Sequence, residues 1–297
     1  MFELRTRFST VGAALSIAPN WWDLGGIGST YNRAMPTILS GGAEIFYDVA
    51  GSGPPVFLLH PFPLDHDFWL PVARSLSTRY QLIMPDLRGH GESALGDGPA
   101  TMPKHAEDLR RLMDERGATR TPIVGVSIGG YIIFEFWRRF RERVSGLVLL
   151  NTKAAADSPE ARSTRLSSAD DVLERGTEPF FEGMLQKAPA ETTRRSRPDL
   201  IEAALRMMHK MSPEDVAGVQ RGMADRPDSI RTLKTINVPT LIITGDEDVL
   251  TGVGEAQVLK QNIPGAELKV ISKAGHYSPF EQPEEVARVL RQFLDSL

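Results

Sequence analysis

The chain has 297 residues, of which 24% are charged and 41% apolar, with 34 basic against 38 acidic side chains and a formal net charge of -4. That balance gives no basic field to recruit a phosphate backbone or an anionic lipid surface, so neither nucleic acid nor membrane is an expected partner. The absence of cysteine excludes a disulfide framework, a thiolate zinc site and a cysteine nucleophile together, and it fits a cytoplasmic protein.

At the N-terminus Arg5 and Arg7 precede a mildly apolar stretch, Val11 to Ala18, broken by Gly12 and Ser16 and without a small-residue cleavage site before Trp21 and Trp22. A signal peptide needs more than this, and residues 1–35 are expected to be an extension ahead of a domain spanning 36–297. An upstream gene start, with the domain beginning near Met35, is a second reading of the same segment.

From Ala43 onward short β-type runs alternate with helical patterns, which argues for a mostly parallel sheet flanked by helices. Ala43 to Asp48, Val56 to His60, Tyr80 to Met84, Pro122 to Val126, Val144 to Leu150, Thr240 to Thr244 and Glu267 to Ile271 have strand length, and several are apolar throughout, as doubly covered strands should be. Helical spacing appears over Met102 to Arg116, Ile128 to Phe140 and Pro283 to Leu294. The region of about 153–235 lacks this rhythm. It is punctuated by prolines and carries Ser158-Pro159-Glu160 and Ser212-Pro213-Glu214-Asp215, each a capping hydroxyl before a proline at the first helical position. A helical insertion is expected there, with Phe180, Phe181, Met184 and Leu185 forming one apolar cluster and Ile201, Leu205 and Met208 one helix face.

The string with chemical content is Gly125-Val126-Ser127-Ile128-Gly129, placed between a β-branched run and a helical pattern. This is the sequence form of a nucleophile elbow: the turn is so sharp that residues two before and two after the serine must be small. It presents Ser127 at the end of a strand and the start of a helix, where an oxyanion is stabilised. Serine is a poor nucleophile without a base, usually histidine held by a carboxylate.

Six histidines compete for the base. His276, in Ala274-Gly275-His276-Tyr277, follows the last expected strand and is chosen by position. His60 is expected to be structural, His66 has no evident orienting acid, and His90 sits in the turn Gly89-His90-Gly91-Glu92-Ser93. His105 and His209 fall on expected helices and default to the surface. For the acid, Thr244-Gly245-Asp246-Glu247-Asp248 follows an apolar strand, and Asp248 is chosen as the deepest in the loop, with Asp246 as fallback. The other acid position available to this architecture, after the preceding strand, holds Asn151, which cannot act as a carboxylate. The oxyanion should find two backbone N-H donors, Ile128 and Phe62. Within His60-Pro61-Phe62-Pro63 the prolines have none to give.

Leu59-His60-Pro61-Phe62-Pro63-Leu64-Asp65, Asp86-Leu87-Arg88-Gly89-His90-Gly91-Glu92-Ser93, Gly125 to Gly130, Gly245 to Asp248 and Gly275-His276 together resemble the α/β-hydrolase superfamily. The resemblance runs from about Ile38 to the C-terminus and looks most like 3-oxoadipate enol-lactonases and related small carboxylesterases. It implies an α/β fold, with a mostly parallel eight-stranded sheet, helices on both faces and a small helical cap after the sixth strand. It also implies hydrolysis of a small-molecule ester or lactone by Ser127, Asp248 and His276 without metal or cofactor. Pro61 departs from the usual glycine after the loop histidine and leaves the loop's shape, and so substrate shape, open. Carbon-carbon bond hydrolases and cofactor-free perhydrolases of the same fold also use serine, and a ligand receptor with slow or lost hydrolysis is the non-enzyme alternative. Dehalogenases and epoxide hydrolases of the fold carry aspartate at the elbow, and Ser127 removes both. Oligomeric state is not encoded in any of these motifs.

Overall fold

Apolar and β-branched runs bounded by glycine and proline become the strands of a single sheet: β1 (Thr37–Ser40), β2 (Ala43–Ala50), β3 (Pro55–Leu59), β4 (Gln81–Pro85), β5 (Thr121–Val126), β6 (Val144–Leu150), β7 (Thr240–Gly245) and β8 (Glu267–Ile271). The computed structural model describes residues 36–297. The expected extension, residues 1–35, lies outside the described residues. The sheet has eight strands in the order β1-β2-β4-β3-β5-β6-β7-β8. Strand β2 runs antiparallel to β1 and β4, and every other pairing is parallel.

The helices are α1 (Leu70–Leu76), α2 (Met102–Glu115), α3 (Ile128–Phe140), α4 (Pro159–Arg175), α5 (Glu178–Leu185), α6 (Glu191–Ser196), α7 (Pro198–Met208), α8 (Pro213–Ala224), α9 (Ile230–Leu233), α10 (Val253–Asn262), α11 (Ser278–Glu281) and α12 (Pro283–Leu294). Helices α4 to α9 lie between β6 and β7 and form the helical cap. Their starts follow the capping chemistry: Ser158 accepts from the Ala161 N-H at 3.2 Å. Ser212 and Asp215 form a reciprocal capping box at the head of α8. Phe181, Leu185 and Met208 are buried, whereas Phe180, Met184, Ile201 and Leu205 are only partly so. Among the described residues no helix is long and apolar enough to cross a membrane.

Strand order sets the site. Strand β3 has β4 on one side and β5 on the other, so the chain reverses its direction of winding there, and the crevice outside the C-terminal strand ends at such a point is where open α/β sheets bind ligands. Leu59 pairs with Gly125 across β3 and β5. The loop carrying Phe62 and the turn carrying Ser127 and Ile128 therefore leave neighbouring strands at the same end of the sheet.

Candidate active site

Between β5 and α3 the backbone reverses within one residue. Ser127 takes φ 55° and ψ -110°, a conformation that costs a non-glycine residue about 1–3 kcal/mol and persists only where its surroundings enforce it. Here they do: the Ser127 N-H donates to Leu150 O at 3.0 Å, and its carbonyl accepts from Gly130 N at 2.9 Å and Thr152 Oγ1 at 2.7 Å. The expected need for small flanking residues is met physically. A Cβ on Gly125 would stand 2.6 Å from the Gly129 carbonyl carbon, and one on Gly129 would stand 2.9 Å from Leu59 O. The serine side chain is thus half-buried at the N-terminus of a helix that is buried from Ile128 to Trp137 and apolar there apart from Glu135, where the helix dipole favours developing negative charge.

The loops after β7 and β8 are brought side by side by the pairing of Gly245 with Ile271. Asp248 and His276 come together there: His276 Nδ1 donates to Asp248 Oδ2 at 3.0 Å, both side chains being buried. Asp248 is held from all sides. Its Oδ1 accepts from the N-H groups of Leu250 and Thr251 at 2.8 and 3.0 Å, and its Oδ2 also accepts from Asn151 Nδ2 at 2.9 Å and Thr251 Oγ1 at 3.0 Å. Burial alone would raise the Asp248 pKa, but the neighbouring His276 and these donors outweigh it and hold the carboxyl well below the usual range. Asp246 is exposed, and Glu247 turns its carboxylate to the Thr192 N-H and hydroxyl in the cap.

Ser127 is tied to this pair through the ends of β5 and β6, since Thr152 binds its carbonyl and the preceding Asn151 binds Asp248. Its hydroxyl makes no hydrogen bond among the described residues, and the hydrogen bonds of the His276 imidazole there all fall on Nδ1. Asn151 and Thr251 belong to the environment of Asp248 although no motif marks them. Asn151 has φ 44°, the kind of left-handed position that asparagine tolerates.

On the opposing loop His60 is structural in its contacts, accepting from the Leu87 N-H at Nε2 (2.9 Å) and donating from Nδ1 to Pro61 O (3.0 Å). Burial pushes its pKa down to about 4. The Phe62-Pro63 peptide is cis. Neither the Phe62 nor the Ile128 N-H donates a hydrogen bond among the described residues. The Phe62 ring is 5% exposed and packs against Phe180 of the cap at 5.7 Å and His90 at 5.6 Å between centroids.

Two expectations for the other histidines need correction. His66 does have an orienting acid: its Nδ1 and backbone N-H both donate to Asp86 Oδ1 at 2.7 Å, a contact made when β3 and β4 pair. His105 is not on the surface but 2% exposed, because it shares the inner face of α2 with Met102, Ala106, Leu109 and Leu112. His90 is buried in its turn, donating to the Leu87 and Arg88 carbonyls, with its pKa pushed down by burial to about 3. His209 is half-exposed beside Glu178 at 2.9 Å.

Asp65, His66 and Asp67 bring ligand-type atoms within 4.8 Å of one another. The ammonium of Lys210, just beyond the cap's α7, already sits between the two carboxylates, 2.7 Å from Asp65 and 3.3 Å from Asp67. The cluster is satisfied as an ion-pair network joining cap and loop.

Comparison with known proteins agrees with this architecture. The family profile described as alpha/beta hydrolase fold matches residues 54–283. A thermophilic esterase from Thermogutta terrifontis superposes with a TM-score of 0.84 at 38% identity, covering 88% of this chain and 96% of that one. The enol-lactonase from Burkholderia xenovorans superposes with a TM-score of 0.82 at 25% identity, covering 88% and 100%. In sequence the chain is 28% identical over 225 residues to 3-oxoadipate enol-lactonase 2 of Acinetobacter baylyi, spanning 72% of this chain and 80% of the relative. With its sheet order, its elbow between β5 and α3, and a family match over most of its length, the chain belongs to the α/β-hydrolase family.

Proposed function

We propose that the protein is a serine hydrolase that cleaves small carboxylic esters or lactones through an acyl-enzyme. The observation that carries this reading is the buried hydrogen bond from His276 Nδ1 to Asp248. It fixes the imidazole so that Nε2 is the atom left to take a proton from Ser127. Similarity to an esterase and to two enol-lactonases supports the substrate class.

In the first step Ser127 Oγ attacks the carbonyl carbon as His276 Nε2 removes its proton, and the carbonyl oxygen becomes an alkoxide. The N-H groups of Ile128 and Phe62 receive that oxygen, a contribution of about 2.7–4 kcal/mol per donor in comparable sites. His276 then gives its proton to the leaving alcohol or enol oxygen, which stays attached if the substrate was a lactone. Water, activated by the same nitrogen, releases the acid and restores Ser127. Asp248 stays ionised throughout and stabilises the imidazolium. The Phe62 ring, packed against Phe180 of the cap, would wall the acyl site.

The test is turnover of p-nitrophenyl esters and simple lactones by the wild type and by Ser127→Ala. Hydrolysis lowered roughly 10⁴- to 10⁶-fold in the variant is expected for loss of a triad member. Near-full activity in Ser127→Ala, or turnover confined to a ring-cleavage dienone in the same panel, would overturn the proposal.

A further inference from the structure

The peptide that carries His276 is gripped at three successive amides. Glu281, at the end of α11, is 6% exposed and turns its carboxylate back on this peptide. Its Oε1 accepts from the N-H groups of Gly275 at 3.0 Å and Tyr277 at 3.1 Å. The amide between them, that of His276 itself, donates to Ala188 O in the cap at 2.7 Å. The other oxygen of Glu281 reaches the cap as well, accepting from Ala190 N at 2.8 Å and Thr193 Oγ1 at 2.6 Å. The approach is so close that a Cβ on Gly275 would stand 2.3 Å from Ala190 N. Two residues along the same cap turn, Thr192 binds Glu247, the neighbour of Asp248.

We infer that Glu281 and the cap turn of residues 188–193 are a clamp that positions His276, so that the cap sets the place of the base as well as covering the site. This rests on the reading of His276 as base. The physical reason is economy of motion: a buried carboxylate with four donors from two different segments cannot shift without leaving several N-H groups unpaired. The imidazole is hinged to the backbone by a single side chain, and a misplacement of about 1 Å at a reacting group can cost roughly 10²-fold in rate. Glu281 touches no reacting atom. It is a positioning residue.

The variant is Glu281→Gln, which keeps the shape but turns an amide NH2 toward N-H groups on one side of the clamp. Expected is a kcat on a p-nitrophenyl ester reduced about tenfold to a hundredfold, with KM little changed. The proton resonance of His276 Nδ1-H should shift or broaden in the same variant. If Glu281→Gln only lowers the melting temperature, with kcat per folded chain and that resonance as in the wild type, the clamp is refuted. Should Glu281→Gln fail to fold, Thr193→Val removes one donor and leaves the Oε1 grip in place. It should lower kcat by about threefold to tenfold, and no change in kcat or resonance would equally refute the clamp. The resonance is read without turnover. Full hydrolysis by Ser127→Ala would therefore overturn the nucleophile assignment while leaving the clamp to be judged on His276.

Discussion

Asn151 Nδ2 donates to Asp248 Oδ2 at 2.9 Å, on the same oxygen that accepts from His276. The loop after β6 therefore supplies a donor to Asp248 in the loop after β7, and a further bond from Asn151 Nδ2 to Gly275 O reaches the peptide beside His276 at 3.1 Å. Asn151→Gly deletes both bonds, together with the one that Asn151 Oδ1 accepts from Ser278 Oγ, yet suits the positive φ of this residue. It should lower kcat about tenfold, as loss of a hydrogen bond of about 1.5 kcal/mol to a charged group would, with KM unchanged. Steady-state kinetics beside a thermal melt separates this from general destabilisation.

Asp248→Asn should lower kcat roughly 10⁴-fold, the scale found when the acid of such a triad is made neutral and the imidazole takes the wrong tautomer. Asp246→Asn, at an exposed position, should leave kcat within about twofold. Equal losses in the two variants would show that the acid has been assigned to the wrong carboxylate.

The elbow offers a test of stored strain. Ser127→Gly relieves φ 55°, whereas Ser127→Ala keeps a Cβ there. Both should be inactive, but the glycine variant should melt higher than the alanine variant by an amount worth about 1 kcal/mol or more. In contrast Gly125→Ala drives a Cβ into Gly129 backbone at 2.6 Å and should cost about 1–3 kcal/mol, the usual scale of overpacking. Differential scanning calorimetry of the three variants checks the order.

Burial by itself would lower the His66 pKa, but the hydrogen bond and charge of Asp86 prevail and push it up to about 9 from 6.5. Between those values the folded chain holds a proton that the unfolded chain releases. The stabilisation is therefore complete below pH 6.5 and is lost as pH rises through about 9. The melting-temperature gap between wild type and His66→Gln should be widest at about pH 6 and narrow toward about pH 9.5. A gap that grows with pH would contradict the assigned ion pair.

Much of this fold is legible because the central strands β3, β4, β5 and β7 are mostly apolar and buried. Val144–Leu150 and Glu267–Ile271 have the bounds expected, as do the helices Ile128–Phe140 and Pro283–Leu294. Strand β1 escaped notice at four residues, although Gly41-Gly42, both at positive φ, are the two-residue turn that joins it to β2. The burial of His105 is legible too, since it falls at helical spacing within the apolar stripe of α2. At the site, motifs point to the residues proposed to do the chemistry. Nothing in the sequence marks what holds them. Asn151 was dismissed because it is no carboxylate, yet it serves the carboxylate as a donor. His66 and Asp86 meet only because two strands pair, and the grip of Glu281 on residues 275 and 277 depends on a single turn folding back. Contacts of that kind are made by tertiary packing and have no local signature.

The most direct test of the central claim is covalent. Incubation with a fluorophosphonate, followed by intact-mass and peptide mass spectrometry, should give one adduct per chain on the peptide containing Ser127. The adduct should be absent in Ser127→Ala and form much more slowly in His276→Ala. Labelling at another residue, or labelling of Ser127 at the same rate without His276, would contradict the account.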